Sequence, residues 1–312
     1  FMALAALELK KRSATQVISD PGFYNYGGRT FRSHEGGLGG VDMHRAIQYS
    51  SNTYFYSLGV EMGVDAIHDF MKPLSFGQIT GIDLGGEVRG VLPSMEWKRN
   101  TYKRPEMKRW YSGETVSLGI GQGYNAYSTL HMAHALANVL NYGDVFRPHL
   151  VHSITNPNSN EVRLIEPQPI RQIALKKEHV DAVKRGMAGV VTEGTGARAF
   201  AGAEYTSGGK TGTAQVFGLK SGQKYVAGKI NERLRDHSWY VAFAPVDHPR
   251  IVVAVIVENG GFGAQSAAPI TRQVFDYYLT GKLPAGMAPE DDTADETPEN
   301  EALIQEVEDG SN

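Results

Sequence analysis

Ser207-Gly208-Gly209-Lys210-Thr211-Gly212-Thr213 is the stretch from which the fold can be read. Glycines on both sides of a Lys-Thr pair leave a strand bare enough for a ligand's backbone to lie beside it, with an ammonium and a hydroxyl facing the site. A phosphate-binding Walker loop also ends in Gly-Lys-Thr, but its first glycine would fall at Glu204, and strand pattern rather than helix pattern follows. Taken alone, Lys-Thr-Gly is more often a Gly-rich turn than a site, so the neighbouring sequence has to decide.

C-terminal to it, residues 214–217, 238–245 and 250–258 read as strands. The last is β-branched almost throughout and is expected to be buried on both faces. Toward the N-terminus the period is helical over residues 177–191, 64–72, 41–63 and 1–11. Ser128 caps a further helix over residues 129–140, whose Leu130, Ala133, Leu136, Ala137 and Leu140 form one apolar face. Residues 269–279 close with a helix. Residues 20–40, rich in glycine and aromatics, read as irregular, and the glycines from Gly77 to Gly90 mark a loop-dominated region. There is no internal repeat. Helices first and then an antiparallel strand group indicate an α+β architecture.

The companion to Lys-Thr-Gly is Ser50-Ser51-Asn52, the single Ser-x-Asn triplet of the chain, set in the middle of an otherwise helical pattern. Alone it reads as a capping or turn cluster. With Gly119-Ile120-Gly121-Gln122-Gly123, Thr213-Ala214-Gln215 and Trp239 through Pro245, the two motifs resemble the penicillin-recognising serine acyltransferases, and among them the class B penicillin-binding proteins of the elongation type. The resemblance runs from Phe1 to about Leu283. It implies that family's fold, an antiparallel sheet with helices, and a peptidoglycan D,D-transpeptidase activity in cell elongation that β-lactams inhibit. A serine β-lactamase or a non-catalytic β-lactam sensor shares the same two motifs. Against the first, the sequence holds no Glu-x-x-Leu-Asn segment of the kind that activates water in class A enzymes.

Carried over residue by residue, the resemblance makes Ser50 the group that relays a proton to the leaving amine and Asn52 the one that holds the acyl-side amide. Lys210 adds positive potential. The Thr211 and Thr213 hydroxyls bind the substrate's carboxylate beside Gly212, and the Thr213 N–H forms half of an oxyanion hole. The family's nucleophile stands in a Ser-x-x-Lys motif at the start of a central helix. The two matches here, Ser207 to Lys210 and Ser221 to Lys224, overlap the Lys-Thr-Gly strand or sit in a loop after it, so both are decoys. The reading expects the nucleophile just upstream of Phe1, in a domain over residues 1–283 that lacks its N-terminal part. The resemblance further implies peptidoglycan stem peptides and a lipid-linked precursor as substrates, β-lactams as ligands, and the glycosyltransferase of the elongation machinery as partner. It also implies an anchor outside this chain in the bacterial inner membrane, with the domain on the periplasmic face. It implies no cofactor and no nucleic acid.

Composition sets outer bounds. The chain has 312 residues, 41% hydrophobic and 21% charged, with 36 Gly and 14 Pro, which excludes disorder of the whole. Zero Cys excludes a disulfide framework, an iron–sulfur cluster and a thiolate nucleophile. Ten of the 34 acids fall from Glu290 onward with no Lys or Arg among them. That leaves 24 acids against 31 bases in the body, so a net charge of -3 conceals a body of +7 and a tail over residues 284–312 whose composition predicts disorder. Phe1-Met2-Ala3-Leu4-Ala5-Ala6-Leu7 reads as the interior of a helix with no cap before it, which suggests a fragment cut inside a helix. His131 and His134 lie a helical turn apart without an acidic partner, and His34, Asp42 and His44 are irregularly spaced, so no metal site is expected. Trp97 and Trp110 either line a cleft or pack beside a loop.

Overall fold

A computed structural model describes residues 1–33, 36–216 and 230–284. The first helix, α1 (Met2–Glu8), buries all of Met2 to Leu7, as an all-apolar segment must when it runs through a core rather than along a surface. The stretch 20–40, expected to be irregular, carries short strands among its described residues. They form two small antiparallel pairs, β1 (Ile18–Asp20) with β4 (Gly39–Val41), and the hairpin of β2 (Phe23–Tyr26) and β3 (Arg29–Arg32). Gly27 and Gly28 turn that hairpin with φ of 55° and 75°, the left-handed pair that a two-residue loop requires to match the strand twist.

The single helical pattern over residues 41–63 breaks into α2 (Met43–Gln48) and α3 (Asn52–Met62). The break has a tertiary cause. Ser51 caps α3, its Oγ accepting from Tyr54 N at 3.1 Å while donating to Oδ2 of the buried Asp20 at 2.5 Å. Asp20 in turn accepts from Gly22 N through Oδ1. With Ser51 held there, Ser50 takes a left-handed φ of 59°, a conformation that disfavours continuation of the helix.

After α4 (Val64–Met71) come three short helices that lacked a clear period in the sequence: α5 (Met95–Thr101), α6 (Pro105–Lys108) and α7 (Ser112–Gly119). Ser94 caps α5 through Trp97 N, Pro105 occupies the first position of α6, and Glu114 reaches back to Tyr111 N at the start of α7. Helices α3 and α7 approach closely. A Cβ on Gly119 would lie 2.2 Å from Phe55 O, and one on Gly59 would lie 3.0 Å from Gly119 Cα. The next helix, α8 (Thr129–Leu140), starts at the Ser128 cap, as its sequence indicated.

Two more short antiparallel pairs follow, β5 (Asp144–Phe146) with β8 (Pro169–Gln172), and β6 (Ser153–Thr155) with β7 (Val162–Leu164). Then come α9 (Lys177–Thr192), α10 (Ala197–Phe200), β9 (Gly208–Ala214), β10 (His237–Ala244), β11 (Ile251–Val257) and α11 (Ala267–Thr280). Strands β11, β10 and β9 form an antiparallel sheet in that order. The strand expected at 214–217 lies earlier, over Gly208–Ala214; Gln215 and Val216 fall beyond its end, and Phe217 lies outside the described residues. All seven residues of β11 are half-buried rather than fully buried; among the described residues β11 pairs on one side alone, with β10, so the β-branched run flanks the sheet instead of running through its middle.

Val241 and Phe243 of β10 join Leu4 of α1, Met43 and Ile47 of α2, Leu58 of α3 and Val183 and Met187 of α9 in one core cluster. The helices thus cover one face of the sheet. The chain divides into two compact units, Phe1–Arg272 and Gln273–Asn312, and the sheet and every site residue discussed below belong to the first. The acidic tail, from residue 285, lies outside the described residues. Among the described residues no helix is long and apolar enough to cross a membrane.

Candidate active site

Strand β9 carries the site because its neighbours leave it no room for side chains at the glycines. A Cβ on Gly208 would lie 2.7 Å from the Phe243 ring, and one on Gly209 would lie 2.3 Å from Oη of the buried Tyr240. In the antiparallel register Lys210 pairs with Val241 and Thr211 with Tyr240. Since side chains alternate, Lys210 shares the Val241 face, while Thr211 and Thr213 share the Tyr240 face. Ammonium and hydroxyls therefore do not stand on one face, and what they have in common is the edge of the sheet.

From its face Lys210 reaches the Ser-x-Asn turn. Its Nζ donates to Ser50 Oγ at 2.8 Å and to Thr211 O at 2.9 Å, joining two motifs 160 residues apart. Burial of the ammonium pulls its pKa from 10.5 down to about 8. Ser50 can face it because of its left-handed φ, which Asp20 and Ser51 support from behind. Asn52 is the first residue of α3 and half-buried; its side chain makes no hydrogen bond among the described residues.

The third element is the turn after α7. Gly121 and Gly123 have φ of 81° and 78°, and between them Gln122 donates from Nε2 to Thr213 O at 2.8 Å. In an extended strand the N–H and C=O of one residue point to the same side. Thr213 turns its C=O away from β10 toward Gln122, so its N–H also faces the open edge. Gly212, between Thr211 and Thr213, faces β10 instead and is closely approached there by Gly263, where a Cβ would lie 2.6 Å from Gly212 O and 2.3 Å from Trp239 O. On the other side Thr195 Oγ1, in the loop between α9 and α10, lies 2.8 Å from Thr211 Oγ1. Sequence reasoning assigned no role to Gln122, Thr195 or Asp20. The alternating glycines around Gln122 were the one local signal of a shaped turn.

The remaining candidates fall elsewhere. Ser207 is buried and precedes β9, whose extended backbone from Gly208 onward carries Lys210, so the two are not on a helix turn and cannot pair as they would there. Ser221, Lys224 and His34 lie outside the described residues. His131 is buried between Ser128 Oγ and Gln78 O, each 2.7 Å from a ring nitrogen, and His134 contacts Phe146 O while burial lowers its pKa. Asp42 caps α2 through Arg45 N. Among the described residues no three His, Asp or Glu converge on a possible metal position. Trp97 and Trp110 pack against Tyr124, whose ring, with those of Trp110 and Tyr111, surrounds the buried Lys98 ammonium at 5.2 to 5.5 Å. Glu114 pairs with that ammonium at 2.5 Å, so these rings shield an ion pair.

An antiparallel sheet whose edge strand reads Lys-Thr-Gly, with a Ser-x-Asn turn hydrogen-bonded to its lysine, defines the class of penicillin-recognising acyltransferase folds. Residues 1–276 match the penicillin-binding protein transpeptidase domain, and the chain belongs to that family. It is 41% identical over 294 residues to the peptidoglycan D,D-transpeptidase MrdA of Haemophilus influenzae, covering 91% of this chain and 44% of that protein. The chain thus spans under half the length of this curated relative. The solved structure of Pseudomonas aeruginosa PBP2 in complex with WCK 5153 superposes with a TM-score of 0.75 at 36% identity, over 92% of this chain and 62% of that one. A chain of a peptidoglycan synthase complex that coordinates polymerization and crosslinking superposes with a TM-score of 0.74 at 26% identity, over 92% of this chain and 46% of that one.

Proposed function

We propose that this chain forms the substrate-holding part of a peptidoglycan D,D-transpeptidase that cross-links stem peptides during cell elongation and is acylated by β-lactams. The observation that carries the reading is the 2.8 Å hydrogen bond from Lys210 Nζ to Ser50 Oγ beside an open strand edge. In the reaction a serine attacks the carbonyl of a D-alanyl-D-alanine stem, the adjacent lysine takes its proton, and the terminal D-alanine departs. The amine of a second stem then displaces the serine from the acyl group.

Each residue has a place in that sequence. Ser50, polarised by the Lys210 ammonium, passes a proton to the departing amine. A lysine with a pKa near 8 keeps its charge at neutral pH yet lies close enough to it to share a proton with Ser50. Asn52, with no partner for its amide among the described residues, holds the acyl-side peptide. Thr211 and Thr213 bind the terminal carboxylate through their hydroxyls, and Gly212 keeps the strand bare beside them. The Thr213 N–H, on the open edge, is half of an oxyanion hole whose other half is the nucleophile's own N–H. That serine and its lysine belong to the part of the relatives' length that this chain does not span.

The setting is part of the same proposal. A lipid-linked peptidoglycan precursor supplies the stems, a peptidoglycan polymerase is the partner, as the likeness to a synthase-complex chain supports, and an anchor outside this chain holds the domain at the periplasmic face of the inner membrane. The test is to incubate the full-length protein with a labelled penicillin and map the adduct. One serine in a Ser-x-x-Lys motif outside this chain is expected to label stoichiometrically, and Lys210→Ala to slow labelling by about 10²-fold or more. Fast penicillin turnover would make the protein a β-lactamase, and a stable adduct with no cross-linking of stem peptides would make it a sensor.

A further inference from the structure

The loop between α9 and α10 reads Gly194-Thr195-Gly196; contact requires the first glycine, and the second packs closely against the sheet. A Cβ on Gly194 would lie 2.3 Å from Gln48 O and 2.7 Å from Val190 Cα, and one on Gly196 would lie 3.0 Å from Tyr240 Oη. Thr195 N donates to Gln48 O at 3.3 Å and Gly196 N to Val190 O at 2.9 Å. Thr195 is therefore clamped between the end of α2, two residues ahead of Ser50, and the Tyr240 face of the sheet. Its hydroxyl has one side-chain partner among the described residues, Thr211 Oγ1 at 2.8 Å, and the Thr211 hydroxyl has no other.

That isolation decides which way the proton runs once a ligand arrives. Each hydroxyl has a single proton to give and two lone pairs to accept with. Were Thr211 to donate to Thr195, its oxygen would face an incoming carboxylate with lone pairs only. With Thr195 as donor, the Thr211 proton is free to point at the carboxylate, and the two hydroxyls polarise each other in series. We propose that Thr195 is a positioning residue for carboxylate recognition, donating to Thr211 so that Thr211 donates to the ligand, and that it thereby sets the preference for ligands with a free carboxylate over their neutral esters. The inference rests on the carboxylate-binding role of Thr211 in the function proposed above.

The experiment compares acylation of the full-length protein by benzylpenicillin and by its methyl ester, measured as second-order rate constants for wild type, Thr195→Val, Thr195→Ser and Thr211→Val. A hydrogen bond to a charged group is at stake, so the ratio of the two rates is expected to fall about tenfold in Thr195→Val and to return in Thr195→Ser. A ratio unchanged in Thr195→Val, or changed equally in Thr195→Ser, overturns the proposal. If the methyl that replaces the hydroxyl in Thr195→Val unfolds the loop, as a thermal melt would show, Thr195→Ala carries the same expectation. Thr211→Val separates the two readings. Should it leave the ratio untouched, the Thr211 role falls; should it abolish the preference while Thr195→Val and Thr195→Ala do not, only the role of Thr195 falls.

Discussion

Replacing Lys210 by methionine is expected to make this chain more stable at neutral pH while removing the group the site is built around. The methionine keeps an unbranched side chain of similar length on the Val241 face and removes a charge from a half-buried position. Burial pulls the Lys210 pKa from 10.5 down to about 8. Between those values the unfolded chain holds a proton that the folded chain has released, so stability rises with pH across the window. The stabilising contribution of the neutral amine is complete above pH 10.5 and is lost as pH falls through 8. A shift of that size corresponds to about 3 kcal/mol, and solvent reaching the partly exposed ammonium lowers it to about 2 kcal/mol. The assay is urea unfolding of wild type and Lys210→Met at pH 7 and pH 10.5. Subtracting the two proteins cancels the tyrosines whose pKa burial raises, such as Tyr54 and Tyr56. Stability of wild type relative to Lys210→Met should rise by about 2 kcal/mol between the two pH values. A difference that stays constant within about 0.5 kcal/mol would refute the claim that burial strains this charge.

Three further outcomes follow from single contacts. The Tyr240 hydroxyl is buried without a hydrogen-bond partner among the described residues, so Tyr240→Phe should leave the urea midpoint unchanged or raise stability by about 1 kcal/mol; a loss of more than that would mean the hydroxyl is bonded. Gly119→Ala puts a methyl 2.2 Å from Phe55 O, a backbone atom of α3 that cannot step aside, and thermal melts should show a loss of about 2 to 3 kcal/mol. Asp20→Ala strips the Ser51 hydroxyl and Gly22 N of their shared acceptor. It should lower stability by about 1 to 3 kcal/mol, and hydrogen exchange should show the start of α3 opening more than α8, with equal protection in both counting against the role of Asp20.

The long helices were legible because apolar residues recurred at helical spacing with a cap in front: Ser128 ahead of α8 is the clearest case, and the start of α9 at Lys177 needed only the period. Strands β10 and β11 announced themselves through β-branched and aromatic runs. The pairs β1 with β4 and β5 with β8 did not, since strands of three or four residues show no period and are held by partners about 20 to 30 positions away. The break between α2 and α3 was hidden for a related reason. Tyr49-Ser50-Ser51 continues a helical pattern locally, and only the buried carboxylate of Asp20, 31 residues earlier, pulls Ser51 into a cap. At the site, the types and spacing of Lys210, Thr211 and Gly212 stood out, as did Ser50 and Asn52. Gln122 and Thr195 did not, because their contribution is a contact across 91 and 16 positions with residues that look ordinary in sequence.

Among the described residues strand β9 ends its side of the sheet with main-chain groups that no other strand pairs, which ordinarily invites a second strand, from another molecule if need be. Two of its outward carbonyls are already engaged, Thr211 O by the Lys210 ammonium and Thr213 O by the Gln122 amide. What the edge has left to offer is chiefly N–H. A full β-strand alternates donors and acceptors along its length and so finds only half its complement here, whereas a short ligand that presents carbonyl and carboxylate oxygens meets donors. The same two side-chain contacts that shape the site therefore act as a filter, turning an aggregation-prone border into one that admits acceptors and discourages self-association.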